Sequence, residues 1–410
     1  MKKPLPKILL VLILIAGLQT GSAQTISNLK KWLAEETRPA LKEQKFANIA
    51  LNKDKAREAS SLLTQDNKDF IRKNQAGEWQ KKELAYKNYT FRFVNKVFGK
   101  KPEGGRSMYI SLHGGGGAPP AVNDQQWENQ KKLYAPAEGL YVVPRAPTDT
   151  WNMWHQDYMD YFLDRIIKDA IVFEDVNPNK VYILGYSAGG DGVYQLAPRL
   201  ADRWAAASMM AGHPGDASVL NLRNLPFAIF QGDQDKAYDR NKWAQRWSNM
   251  LDSLQKEDLT GYTHDVHIYL DMPHWMSRRD TIAIPWMAKF TRNPLPERIV
   301  WVQDDVLREN FYWLGVPPAS MKAGNEIIAE CKNNVINILK SDCDSVIINL
   351  NDRMVNMDKP LTVIYKGKQI FKGKVKRTIS SIAQSIKERG DDSFIFSARL
   401  VEANGKIVLP

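Results

Sequence analysis

The sequence predicts an α/β protein built on a doubly wound, mostly parallel sheet, and three observations carry that expectation. Apolar strand-like runs alternate with helical segments between residues 107 and 291, Gly185-Tyr186-Ser187-Ala188-Gly189 falls where one such run gives way to a helix, and a glycine run, His113 to Gly117, directly follows another. Alternation of this kind favours parallel strands joined by crossover helices that cover both faces of a sheet.

In chain order, Lys2, Lys3 and Lys7 surround the start of an apolar run from Ile8 to Leu18, and Gly21-Ser22-Ala23 supplies small residues before Gln24. This is the pattern of a secretory signal over residues 1–23, cleaved after Ala23. No cysteine lies at that junction to take a lipid, and no later run has the length and apolarity to span a bilayer. The expected product is secreted or periplasmic, without integral membrane association. Residues 24–87 are polar and helix-favouring, with Ala59, Leu62, Leu63 and Phe70 near helical spacing. They predict a helical arm divided at Pro39 and closed at Gly77.

Residues 88–293 form the alternating catalytic domain. After a first strand around Thr90–Val94, strands are expected at Ser107–Leu112, Leu140–Pro144, Lys180–Gly185, Ala205–Ala211, Pro226–Gln231 and His264–Leu270. Helices are expected at Asp124–Tyr134, Gln156–Phe173, Ala188–Ala201, Asp239–Gln255 and Thr281–Thr291. Beyond Asn293-Pro294-Leu295-Pro296 the texture changes to short strand-like runs, interrupted by one helix at Ile379–Lys387 and turned at Asn333-Asn334 and Lys366-Gly367. Residues 294–410 therefore predict a small β-sandwich domain. No tryptophan follows Trp313, which favours a supporting role for that domain over stacking on sugars.

The net charge of +11 comes from scattered basic residues rather than a stripe interleaved with aromatics, which excludes nucleic acid as an expected partner. Only Cys331 and Cys343 are present, so the fold is not built on disulfides. In a meander turning at Asn333-Asn334, the strand between the two cysteines would hold them roughly 20 Å apart, too far to bridge.

Chemistry concentrates around Ser187. Val181 to Leu184 reads as a strand buried on both faces, Gly185 and Gly189 fit a sharp strand-to-helix turn, and Val193, Leu196, Ala197 and Leu200 continue at helical spacing. A serine hydroxyl needs a base to take its proton and a third group to orient that base. His274, in Asp271-Met272-Pro273-His274-Trp275 after the last strand of the sheet, is the leading candidate base, with His213 second. His264 and His267 sit three apart on one strand, hence on opposite faces, and share no metal. The acid is expected after the preceding strand, in Gly232-Asp233-Gln234-Asp235, with Asp235 favoured and Asp233 read as a brace for the turn. Backbone N–H groups of the Gly114–Gly117 run, Gly115 and Gly116 foremost, together with Ala188, supply a candidate oxyanion hole. Trp151, Tyr186 and Trp275 are candidate substrate-binding residues, whereas Trp154 is explained as well by helical packing.

In this order, the His113 glycine run, Gly185 to Gly190, Asp235 and His274 resemble the α/β-hydrolase fold. Trp275 directly after the histidine, together with the signal, is similar to the secreted serine esterases grouped with poly(3-hydroxybutyrate) depolymerases and feruloyl esterases. The resemblance covers roughly residues 90–293. It implies a carboxylic ester hydrolase using Ser187, His274 and Asp235, with no metal or organic cofactor, acting on a small-molecule or polymer-derived ester. Those depolymerases often carry cysteines around the catalytic region, and this chain has none there. A serine peptidase of the prolyl-oligopeptidase type shares the catalytic module, but residues 24–87 are too few for the propeller such peptidases carry. The segment His213–Leu225 is also too short for a lid domain, so an open site is expected.

Overall fold

The computed structural model of the protein describes residues 24–408; the expected signal at 1–23 lies outside them. The chain divides into two compact units. One comprises residues 71–330 and 338–344, the other the remaining described residues up to 70, 331–337 and from 345 on. These divisions fall elsewhere than the expected boundaries at 87/88 and 293/294.

The N-terminal segment opens with helix α1 (24–34), and α2 (Lys53–Lys81) follows after two short 3-10 turns. Gly77 does not close this helix. It lies inside it, where a side chain would meet open space, and the helix bears the cost of about 1 kcal/mol that an internal glycine carries. The arm also ends earlier than expected. Residues Glu83–Tyr86 are strand β1, which pairs antiparallel with β2 (Tyr89–Phe98) through a two-residue turn that places Lys87 at positive φ.

The sheet continues through β3 (Arg106–Leu112), α3 (Pro120–Leu133), β4 (Gly139–Arg145), α4 (Tyr158–Phe173), β5 (Val176–Tyr186), α5 (Ala188–Arg199) and β6 (Ala206–Met210). It closes with β7 (Phe227–Gly232), α6 (Arg240–Glu257), β8 (His264–Tyr269) and the short α7 (Ala283–Met287). The strand order is β1-β2-β4-β3-β5-β6-β7-β8. All pairs from β4 across to β8 are parallel, and β2 joins β4 antiparallel. This is the mostly parallel α/β sheet expected from the sequence. Val181, Tyr182, Ile183 and Leu184 are fully buried, which is why β5 shows a continuous apolar run rather than an alternation. Tyr182 and Leu184 pack with Ala206, Met210, Phe230 and Met287 in one hydrophobic core cluster.

Further sheets occupy the C-terminal part. Strand β9 (Arg298–Val302) is followed by β10 (Asn310–Phe311) and β11 (Leu314–Gly315), which form a tight hairpin. Tyr312 at the turn has positive φ, which breaks the run that its apolar neighbours suggest. Then come β12 (Glu326–Lys332), β13 (Val335–Ser341), β14 (Ser345–Leu350), β15 (Leu361–Tyr365), β16 (Lys368–Gly373), α8 (Ile379–Arg389), β17 (Ala398–Ala403) and β18 (Lys406–Val408). Asn333 and Asn334 both adopt positive φ in the β12–β13 turn, the conformation for which asparagine is favoured. Residues 394–397 do not extend β17, because Asp392–Phe394 forms a 3-10 turn capped by the Asp391 side chain. In the unit that holds the residues up to 70 and from 345 on, Ile26 and Leu29 of α1, Ala59 and Leu63 of α2, and Ile379 and Ile382 of α8 share one core. Phe70, although near the same spacing, is exposed. Cys331 and Cys343 are both buried and not joined in a disulfide. No helix among the described residues is long and apolar enough to cross a membrane.

Candidate active site

Ser187 occupies the single-residue joint between β5 and α5, with φ 58 and ψ −123. Such a backbone costs about 1–3 kcal/mol in an L-residue and persists only where its surroundings over-determine it. Here the Ser187 N–H donates to the Met210 carbonyl of the neighbouring strand (2.9 Å), and the Ser187 carbonyl accepts from Asp191 N–H (2.9 Å). The flanking glycines are required by contact. A Cβ on Gly185 would lie 2.2 Å from the Gly189 carbonyl oxygen, and one on Gly189 would lie 2.1 Å from that of Leu112. The tight turn thrusts the Ser187 side chain off the end of the sheet.

His274, on the loop after β8, places Nε2 2.9 Å from Ser187 Oγ and Nδ1 2.7 Å from Asp235 Oδ2. An ionised carboxylate only accepts, so Nδ1 carries the hydrogen and Nε2 faces the serine hydroxyl as an acceptor. Asp235 is buried, which by itself would raise its pKa. Hydrogen bonds from His274 and Gln231, together with the positive charge of Arg240, outweigh burial and hold the carboxyl below its usual range. The sequence offered His213 as a second base; its Nδ1 instead accepts from Gly215 N–H (3.0 Å), while its own N–H donates to Asp191 Oδ1 (2.7 Å). Asp233 does not face the histidine, and its carbonyl accepts from Asn241 Nδ2 (2.7 Å).

Opposite the serine, the His113–Gly117 run turns through positive φ at Gly115, Gly116 and Gly117. His113 is fully buried and held through both ring nitrogens, Nδ1 to the Gly114 carbonyl (2.6 Å) and Nε2 from Ala146 N–H (3.1 Å). Burial pushes its pKa down to about 4, so it is a neutral brace for the loop. Of the three expected oxyanion donors, one is already committed: Gly116 N–H donates to Asn123 Oδ1 at 2.8 Å. While that bond stands, Gly116 cannot present its hydrogen to a substrate. Ala188, as the first residue of α5, has an amide without an intrahelical acceptor, and Gly115 is the remaining candidate partner. Asn123 is buried and also donates to the Ala118 carbonyl (2.9 Å), so it sets the shape of the whole loop.

A cleft of about 710 Å³ opens on Ser187, lined by Gly114, Gly115, Tyr186, His274 and Trp275 and by residues of α3. Tyr186 and Trp275 thus lie where substrate-binding residues were expected. Trp151 is 69% exposed, stands beside Gly117 and is outside this lining. Trp154 is buried and donates to the His113 carbonyl (3.0 Å), which makes it core. Between β6 and β7, residues 213–225 carry one short 3-10 helix, Val219–Asn224. Among the described residues no group of three or more His, Cys, Asp or Glu side chains is arranged to hold a metal. His264 and His267 each pair with a nearby aspartate, Asp252 and Asp265.

Sequence reasoning did not identify Asn123, Gln231 and Asp191 as neighbours of this machinery. Nothing in their local pattern separates them from ordinary helix and strand residues.

No family model matches the chain, and no curated protein matches it. Among solved structures it is similar to a thermostable esterase, at 16% identity over 52% of this chain and 63% of the other, with a TM-score of 0.39. A ferulic acid esterase is similar at 17% identity over 50% of this chain and 96% of the other, TM-score 0.38. A phospholipase/carboxylesterase from Dyadobacter fermentans follows at 14% identity, 50% and 98% coverage and a TM-score of 0.35. The chain therefore spans less than two thirds of the first of these.

Proposed function

We propose that the protein is a secreted or periplasmic serine hydrolase that cleaves carboxylic esters through an acyl-enzyme. The observation that carries this reading is the unbroken relay from Asp235 through His274 to Ser187 Oγ, with spacings of 2.7 and 2.9 Å, at a strained strand-to-helix joint open to a cleft. His274 Nε2 takes the proton as Ser187 Oγ bonds to the ester carbon, and Asp235 stabilises the resulting imidazolium. Ala188 and Gly115 N–H groups face the oxygen that gains charge. Collapse breaks the bond to the alkoxy oxygen, which leaves as alcohol with the proton from His274. Water, deprotonated by the same nitrogen, then releases the acid and restores Ser187. No step calls for a metal or organic cofactor.

The signal-like residues 1–23 support export, and the motif resemblance to depolymerases and feruloyl esterases supports a small-molecule or polymer-derived ester as substrate. In this reading residues 294–410 support the hydrolase rather than bind substrate. A panel of short-chain, aromatic and polymeric esters beside peptides, with wild type and Ser187→Ala, tests it. Ester turnover that vanishes in the variant is expected. Cleavage of peptides but of no ester would overturn it.

A further inference from the structure

The cleft that holds Ser187 is electrically one-sided. Lys132 and Arg278 both line it, and no carboxylate does. Lys132, in the last turn of α3, is exposed and has no ion pair or hydrogen bond among the described residues, whereas its neighbour Lys131 pairs with Glu128. Arg278 donates through Nη2 to the Leu133 carbonyl (3.0 Å), which holds the guanidinium against the end of α3 and leaves its other donors without a protein acceptor. Asp280 feels the charge of Arg278, but it is buried and takes the hydroxyl hydrogen of Tyr134, so it does not neutralise the surface of the cleft.

Helix α3 runs from the serine toward these charges. The point where a Gly114 side chain would begin lies 3.2 Å from Ser187 Cβ and 3.6 Å from Gln126 Oε1, so α3 passes the serine at Gln126. Lys132 is six residues further on, about 9 Å along the helix axis. Val122, Leu133 and the half-exposed Trp275 offer apolar surface in the same cleft. A guanidinium fork beside an ammonium is the arrangement that takes a carboxylate with both charge and direction.

We propose that Lys132 and Arg278 select esters bearing a second, ionised carboxyl group, carried on a chain long enough to reach them from the reacting carbonyl. The proposal rests on Ser187 being the nucleophile of an esterase, yet the cation pair can be probed without turnover. Two matched pairs of substrates serve: para-nitrophenyl hydrogen suberate against para-nitrophenyl octanoate, with the charge on the acyl chain, and the acetate ester of ω-hydroxyoctanoate against octyl acetate, with the charge on the alcohol.

In at least one pair the charged member should have a kcat/KM roughly five- to tenfold higher, expressed in KM. Lys132→Gln and Arg278→Gln should each shrink that preference, the double variant should abolish it, and Arg278→Lys should retain most of it. The neutral ester of each pair is the reference against which every variant's preference is read. The second readout is calorimetric binding of suberate to Ser187→Ala, which should weaken in parallel when Lys132→Gln is added. If the wild type hydrolyses no ester, the esterase reading fails and the binding readout alone decides the cation pair. Equal kcat/KM within both pairs, or suberate binding indifferent to Lys132 and Arg278, would overturn the proposal.

Discussion

The hydroxyl of Tyr186 donates to the carbonyl oxygen of His274 at 2.7 Å and accepts from Met276 N–H at 3.0 Å. The residue preceding the proposed nucleophile thus clips the loop that carries the proposed base. Tyr186→Phe should therefore lower kcat roughly tenfold or more with little change in KM, because small displacements of a catalytic group are expensive. It should also cost about 1 kcal/mol of stability. Steady-state kinetics beside thermal unfolding checks this, and an unchanged kcat would show that the loop is held by other contacts.

Asn123 takes the Gly116 N–H and so fixes the loop that turns Gly115 toward Ser187. In Asn123→Ala the loop loses its internal acceptor. The expected loss is roughly tenfold to a hundredfold in kcat, below that of deleting a direct oxyanion donor. Wild-type kcat in this variant would mean that the glycine run holds its shape unaided.

Asp191, one turn into α5, has its carboxyl raised to about 6 by burial, against the opposing charge of Arg240 and the hydrogen bond from His213 N–H. An acid whose folded pKa exceeds its unfolded one lowers stability above the folded value and not below the unfolded one. Asp191→Asn keeps an acceptor for His213 N–H while removing the charge. Its melting temperature should exceed that of wild type at pH 8, by the equivalent of about 3 kcal/mol, and the gap should close toward pH 4. A gap that widened on acidification would contradict the assignment.

Cys331 and Cys343 are buried and not joined in a disulfide. Titration in denaturant without reductant should find two thiols per chain, and none would refute the strand arrangement around them.

The α/β core was legible because β5 and its neighbours are buried on both faces and read as unbroken apolar runs, while the elbow glycines are fixed by backbone contacts that leave no alternative. Ser187, Asp235 and His274 were recoverable from their places at strand ends. Less was legible where side-chain hydrogen bonds decide, in the commitment of Gly116 N–H to Asn123 and the grip of Tyr186 on the His274 loop, or where a helix simply tolerates an internal glycine, as α2 does at Gly77. The C-terminal boundary was hidden for a related reason. Residues 338–344 belong to the same compact unit as the α/β sheet, and β12 pairs with β9 within it. A cut near residue 319 would therefore remove part of that unit.

The central claim is that Ser187 is an activated nucleophile, and covalent labelling tests it most directly. A fluorophosphonate probe followed by peptide mass spectrometry should place one adduct per chain on Ser187. The adduct should be absent from Ser187→Ala and strongly slowed in His274→Ala, since members of a triad act as a unit. An adduct on another residue, or undiminished labelling of Ser187 in His274→Ala, would contradict the account.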